Sequence, residues 1–142
     1  MKKITIVVLF LIVSITPKLV QAQELAAQQA AESILQSFSK QEYLTVWNSK
    51  TSQWAKTNWD QNAFLASMSI GRPQLGTLQT ISVIAREHTT HDPSTGFDGD
   101  IYAITFRNKY TNGEFFERLV VVKDPDGQYR LSGIYGSPVP NR

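Results

Sequence analysis

Residues 101–123 read IYAITFRNKYTNGEFFERLVVVK, and this stretch decides the fold. Two runs rich in aromatic and β-branched residues flank an Asn-Gly pair, which is the strongest short-range signal for a β-hairpin. A second turn, DPDG at 124–127, leads into a third such run at 128–135. The sequence therefore predicts three consecutive antiparallel strands.

The expected register follows from a two-residue loop made of Asn112 and Gly113. Phe106 then faces Leu119, and the neighbouring apolar residues of both strands share one side of the sheet. A slip by one residue would carry that apolar side to solvent, so the pattern specifies which side packs on the core.

The same register turns one acidic side chain, Glu117, toward the core. A three-residue turn that ends at a left-handed Gly127 places Tyr135 beside Glu117, with Asn108 and Tyr110 around them. A buried carboxylate requires a partner or a shifted pKa, so Glu117 is the strongest chemical candidate in the chain.

Two interpretations of Glu117 follow. It could be a general acid or base at the bottom of a pocket. It could instead form an ion pair with Arg72 or Arg86 that orients the connection between helices and sheet. We favour the ion pair, because structural networks as well as active sites perturb buried carboxylates.

The N-terminus has the pattern of a secretory signal peptide. Lys2 and Lys3 precede an apolar run at 4–15, and Ala22 lies at a suitable cleavage position. The run is too short for a membrane anchor, since a span needs about 20 apolar residues. We therefore expect cleavage after Ala22, a periplasmic or secreted protein without stable membrane insertion, and one domain at 23–142.

Composition excludes several functions. Removing residues 1–22 lowers the number of basic residues from 14 to 11 against 12 acidic ones, so a basic nucleic-acid-binding surface is not expected. The chain has no cysteine, which excludes thiol chemistry and leaves stability to the core. It also has no nucleophile elbow, phosphate loop or dinucleotide fingerprint, and we predict no cofactor.

The remaining segments predict helices followed by strands. Residues 23–38 form a helix by apolar periodicity, a second helix starts near Glu42, and Asn58 or Asp60 caps a third. A strand follows at 77–87. This order predicts an α+β fold, with N-terminal helices on one face of a curved four-stranded antiparallel sheet.

A loop expected at 89–99 and its borders carry histidines and carboxylates that could bind Zn²⁺ or Ca²⁺. These residues are His88, His91, Asp92, Asp98 and Asp100. Their spacing matches neither a calcium loop nor a helical histidine pair, and turns also use Asp and Gly. We therefore predict no metal site.

Aromatic residues and an outer patch complete the candidates. Trp47 is expected in the core, whereas Trp54 and Trp59 have polar neighbours and could stack a sugar or an aromatic ligand. An apolar patch facing away from the helices would mark a partner surface, and we predict a back-to-back homodimer through it. The patch consists of Phe116, Val120 and Val122.

A spaced series of residues resembles domain-of-unknown-function family 4019, a group of exported bacterial proteins. The series consists of Tyr43, Trp47, Arg72, Leu75, Gly76, Tyr102, Phe106, Glu117, Asp126, Gly127, Tyr129, Gly133 and Tyr135. The resemblance covers about 25–137 and implies a cystatin-like or nuclear-transport-factor-like cone. It implies no activity, and such folds host many functions.

Three functions remain open on the sequence. The chain could be a non-catalytic exported domain that binds a small ligand or a partner protein, or it could be an envelope assembly component. It could also be a small isomerase or dehydratase that uses Glu117 with a tyrosine or a histidine, and His88 is the plausible second acid or base. Seven residues are expected around the cavity between helices and sheet, namely Tyr43, Trp47, Arg72, Asn108, Tyr110, Glu117 and Tyr135.

Overall fold

The structure is a computed structural model that describes residues 16–141. The apolar run at 4–15, on which the signal-peptide prediction depends, lies outside the described residues. The expected cleavage point after Ala22 lies inside the first helix, which begins at Thr16. Within the described part, no helix is long and apolar enough to cross a membrane.

Helices occupy the first half of the described chain. They are α1 (Thr16–Ser39), α2 (Tyr43–Thr45), a π-helical turn (Val46–Lys50), α3 (Gln53–Asn58), α4 (Gln61–Gly71) and a 3₁₀ turn (Arg72–Leu75). Asp60 caps α4, since its carboxylate accepts a hydrogen bond from the Ala63 N–H at 2.8 Å. Lys50 secures the π-helical turn, donating at 2.7 Å to the hydroxyls of Ser33 and Ser37 on α1.

Strands occupy the second half and form one antiparallel sheet. They are β1 (Leu78–Thr80), β2 (Val83–Asp92), β3 (Phe97–Tyr110), β4 (Gly113–Lys123) and β5 (Tyr129–Pro138). Their order is β1-β3-β4-β5, and β2 pairs with β3 next to β1. The helices pack on one side of this curled sheet, which confirms the α+β prediction.

The core lies between α1 and the sheet. Apolar residues at helical spacing on α1 meet alternate residues of the strands. The fully buried ones are Ala27, Ala31, Leu35, Ile104, Phe106, Leu119, Val121 and Leu131. The sides of the sheet predicted from the alternation of β3 and β4 are therefore correct.

The β3–β4 register differs from the prediction by two residues. The turn consists of Thr111 and Asn112, so Phe106 lies opposite Glu117 rather than Leu119. A shift by two residues leaves every side chain on its predicted side, because side chains alternate with a period of two. Glu117 therefore faces the core as expected.

The β4–β5 pairing contradicts one expected contact. Gly127 has a φ of 84°, as predicted for the turn, and Val121 lies opposite Leu131. A β-bulge then intervenes, so Tyr135 lies opposite Arg118 and is 63% exposed. The predicted contact between Tyr135 and Glu117 is wrong, because turn chemistry does not reveal a bulge further along the strand.

The predicted strand at 77–87 and loop at 89–99 are also corrected. A break at 81–82 divides the strand into β1 and β2, and β2 continues to Asp92. Most of the predicted loop is therefore a hairpin with its turn at 93–96. The Asp92 carboxylate stabilises this turn, accepting from the Ser94 N–H at 2.8 Å and from the Thr95 hydroxyl at 2.9 Å.

The outer side of the sheet is partly covered by the chain itself. Val122 is 3% exposed, whereas Phe116 and Val120 are half-buried. Pro93 and Ser94, at the end of the β2–β3 hairpin, line the same cavity as Val120. The predicted exposed patch is wrong for Val122, because this side chain is buried in the folded chain. The homodimer stays a prediction.

The connection from the helices to the sheet packs tightly on the β3–β4 turn. The Thr77 N–H donates to the Thr111 hydroxyl at 2.9 Å, and Gly76 adopts a φ of 82°. A Cβ at Gly76 would lie 2.0 Å from Thr111 Oγ1, whereas a Cβ at Gly96, with a φ of 73°, would meet nothing within 4 Å.

We therefore expect Gly76→Ala to destabilise the protein more than Gly96→Ala. Both substitutions place alanine at a positive φ, and Gly76, with a ψ of −153°, lies in a region that is essentially restricted to glycine and costs about 1–3 kcal/mol. Gly76→Ala adds a steric clash, for which overpacking costs of about 1–3 kcal/mol are typical. Urea unfolding of both variants measures the difference. If the two variants have equal free energies of unfolding, the connection accommodates the Cβ at position 76 without any additional loss of stability.

Candidate functional site

Glu117 is the centre of a buried polar network between helices and sheet. Its side chain is 2% exposed. Arg72 donates to Oε1, and both the Tyr110 hydroxyl, at 2.5 Å, and the Asn108 amide, at 2.8 Å, donate to Oε2. Both carboxylate oxygens are therefore engaged by side chains of the protein.

Arg72 reaches this network from the 3₁₀ turn that follows α4. Its second terminal nitrogen donates to the Tyr110 hydroxyl at 2.9 Å, and its guanidinium lies 4.9 Å from the centre of the Phe38 ring. Burial opposes the charge of Arg72, but Glu117 and Tyr110 together raise its pKa above the ordinary value. Arg72 is thus a charged partner of Glu117.

The expected ion pair is present, with Arg72 as the partner rather than Arg86. Arg86 lies on β2, where it donates to Gln28 at 2.8 Å and lies 3.6 Å from Glu24. This pair links the 3₁₀ turn after α4 to β4, and removal of either partner would leave an uncompensated charge in the interior. Acid–base chemistry by Glu117 would first require one of its hydrogen bonds to break.

Three other residues were expected around the cavity between helices and sheet. Tyr43 lies near Arg72, and burial raises the pKa of Tyr43 while the charge of Arg72 opposes the rise. Tyr43 packs on Phe38, with ring centres 6.3 Å apart, and its hydroxyl is buried without a hydrogen-bond partner among the described residues. Trp47 is 6% exposed and packs on Phe64 at 5.3 Å, as a core residue does. Tyr135, as described above, lies on the outer side.

A second polar network was missed by the sequence analysis. His88 contacts Asp100 at 2.5 Å, and the Tyr129 hydroxyl donates to the same carboxylate. His91 likewise contacts Asp98 at 2.6 Å. The sequence alone did not predict these pairs, because they depend on the register between β2 and β3. Among residues 16–141, no group of three histidine or acidic side chains is placed to hold a metal ion.

His88 is too far from Glu117 to cooperate with it. Their partners on β3 are Tyr102 and Phe106, and four residues of strand span about 13 Å. The histidine that the sequence offered as a second acid or base is therefore out of hydrogen-bond reach. Tyr110 is within reach of Glu117, but its hydroxyl is already engaged by Glu117 and Arg72.

An open groove runs along the unpaired edge of β5. We call it the aromatic groove, and its volume is about 510 Å³. Its side chains from α3, α4, the loop between them and β5 include Trp54, Trp59, Asp60, Phe64, Met68 and Tyr135. The volume and the mainly apolar lining are typical of small-molecule sites.

Local packing fixes both indole rings of the groove. Trp59 stacks on Phe64 with ring centres 6.0 Å apart and an interplanar angle of 14°. Trp54 meets Phe97 edge to face at 6.0 Å and 68°. Both tryptophans are half-buried, and neither indole N–H donates a hydrogen bond within the described residues. The groove thus presents two oriented indole rings whose N–H groups are available to donate hydrogen bonds to a ligand.

Comparison with known families settles one question. Residues 30–134 match the family model described as "Protein of unknown function (DUF4019)". The chain belongs to the DUF4019 family. The resemblance predicted from the sequence is confirmed. Comparisons with curated proteins and with solved structures gave no significant match.

We expect Glu117→Gln to destabilise this DUF4019 protein by roughly 3–5 kcal/mol, because it leaves the charge of Arg72 buried without its partner. Glu114→Gln is the matched control on the same strand. Glu114 pairs with Arg107 at 2.7 Å, but both side chains are more than 40% exposed. Its loss should cost at most about 1 kcal/mol. Chemical denaturation that gives equal costs would contradict the structural role of Glu117.

We also expect alkaline destabilisation that depends on Tyr110. Burial, and then the charge of Glu117, raise the pKa of Tyr110 above the ordinary value for tyrosine. As the pH rises, the unfolded chain therefore loses the Tyr110 proton before the folded chain does. The contribution of Tyr110 to the free energy of unfolding is fully present below about pH 10 and decreases above it. Tyr110→Phe should be less stable at neutral pH, yet lose less stability between about pH 9 and 11.

Tyr135→Phe is the control for the alkaline experiment, since Tyr135 is exposed and outside the network. Urea unfolding across the pH range measures all three proteins. If Tyr110→Phe declines as steeply as the parent protein, the hydroxyl of Tyr110 does not carry the effect.

Proposed function

We propose that this protein is an exported, non-catalytic binding domain, and that its ligand site is the aromatic groove. The signal-peptide pattern of residues 1–22 supports export. The open, aromatic lining supports binding of a small molecule. No step of the proposed function requires a group that gains or loses a proton.

The observation that carries this proposal is the contrast between two sites. The carboxylate of Glu117 is 2% exposed and its oxygens are bound by Arg72, Tyr110 and Asn108. The aromatic groove is open, and its two indole N–H groups have no partner among the described residues. A ligand could therefore enter the groove without breaking internal contacts, whereas at Glu117 it would have to displace them.

The isomerase or dehydratase alternative has less support. General acid–base catalysis requires a group within hydrogen-bond reach of the substrate, and it usually requires an acid and a base together. Glu117 is held by its partners, and His88 lies about 13 Å away along the sheet. The binding role requires neither group.

We expect at least one of three simple probes to bind the aromatic groove. The probes are indole, glucose and choline, which represent a neutral ring, a neutral polyol and a cation. Titrations followed by two-dimensional ¹H–¹⁵N NMR should shift the indole signals of Trp54 and Trp59 and leave that of the buried Trp47 unchanged.

The matched variants are Trp54→Ala and Leu44→Ala. Trp54 lines the groove, and Leu44 is 53% exposed on α2 outside it. Trp54→Ala should lower the affinity for whichever probe binds by about tenfold, since aromatic contacts carry much of the affinity at such sites. Leu44→Ala should not. Shifts confined to the surroundings of Glu117, or no saturable shift with any probe, would reject the groove.

A further inference from the structure

We infer that the aromatic groove binds a small, freely dissolved organic cation through an alkylated ammonium group. This inference rests on the binding role proposed above and specifies the chemical class of the ligand. Trp54, Trp59 and Tyr135 supply three aromatic side chains around one groove, and Asp60 supplies a carboxylate at its border. Aromatic faces with a nearby carboxylate are the arrangement that recognises quaternary ammonium groups.

The charges of the groove favour a cation. Within the described residues its lining contains no lysine, arginine or histidine, and Asp60 is its acidic residue. Asp60 accepts the Ala63 N–H through Oδ1, and no described hydrogen bond involves Oδ2. The carboxylate therefore keeps an oxygen for a ligand, and no basic side chain of the lining would oppose a bound cation.

The rings are oriented before any ligand arrives. Phe64 lies flat against Trp59, and Phe97 meets Trp54 edge to face. Tryptophan gives the strongest cation–π attraction of the aromatic residues. Because packing already holds these two rings, binding would lose little side-chain entropy. A neutral molecule of the same shape would gain the apolar contact but not the attraction between charge and ring.

The absence of basic side chains also decides between two sources of the ammonium group. In a phosphatidylcholine headgroup a phosphodiester lies beside the ammonium, and phosphate sites in proteins normally supply arginine, lysine or backbone N–H donors. In the described groove such a phosphate would lie near the carboxylate of Asp60 without a basic partner. We therefore assign the groove to a dissolved cation.

The experiment compares choline with 3,3-dimethylbutan-1-ol, which has the same shape but no charge. Two-dimensional ¹H–¹⁵N NMR of the purified protein follows both titrations at constant chloride concentration. We expect choline to shift the indole signals of Trp54 and Trp59 with at least tenfold higher affinity than the neutral alcohol. Asp60→Asn should weaken choline about fivefold or more and leave binding of the alcohol unchanged.

Asp60→Asn is chosen because asparagine caps a helix as well as aspartate does, so α4 keeps its N-terminal hydrogen bond. Two outcomes would overturn the cation assignment while leaving the groove as a site for neutral ligands. One is equal affinity of the parent protein for choline and the alcohol, and the other is equal affinity of the parent protein and Asp60→Asn for choline. Binding of glucose or indole without choline would do the same. If no probe binds, the proposed binding role fails together with the inference.

Vesicles test the source of the cation. If phosphatidylcholine vesicles bind the protein as tightly as free choline does, and Asp60→Asn loses this binding, the ligand is a lipid headgroup. This result would contradict the assignment to a dissolved cation. We expect no co-sedimentation with these vesicles in the absence of free choline, even when the accessible headgroups reach the concentration at which free choline saturates the groove.

Discussion

The buried pair of Arg72 and Glu117 is the constraint on which the arrangement of helices and sheet depends. Arg72 is attached to the end of α4 through the 3₁₀ turn, and Glu117 lies in the middle of β4. Separating them would leave two charges in the interior, which is far more costly than losing an exposed pair. Tyr110 and the ring of Phe38 complete the shell around the guanidinium, and Asn108 donates to the carboxylate of Glu117. The pair therefore ties the end of α4 to the middle of β4.

Much of this centre could be predicted because it follows from alternation. The period of two in β3 and β4 places Glu117 among buried residues even when the register is shifted by two. The need of a buried carboxylate for a partner then reduces the candidates to a few arginines. Choosing Arg72 over Arg86 required the structure, because both residues lie in connections or edge strands whose direction the sequence does not specify.

The aromatic groove could not be predicted as a site. Trp54 and Trp59 were candidates by residue type, but their relation to Tyr135 depends on the bulge in β5, which has no sequence signal as clear as a turn. The histidine pairs were missed for a related reason. A segment rich in threonine, aspartate and glycine can be a loop or a hairpin, and pairing with β3 decides between them. Nonlocal pairing is what single-sequence reasoning lacks.

The position of β5 at the border of the sheet has a consequence for solubility. A bare edge strand can template another copy and start aggregation, and proteins usually blunt such edges. Here Ser52 donates its N–H to the carbonyl of Leu131 at 2.9 Å, which blocks one part of the edge. Pro138 has no N–H to offer at the other end. Pairing of another copy along this edge is therefore confined to 132–137, between these two points.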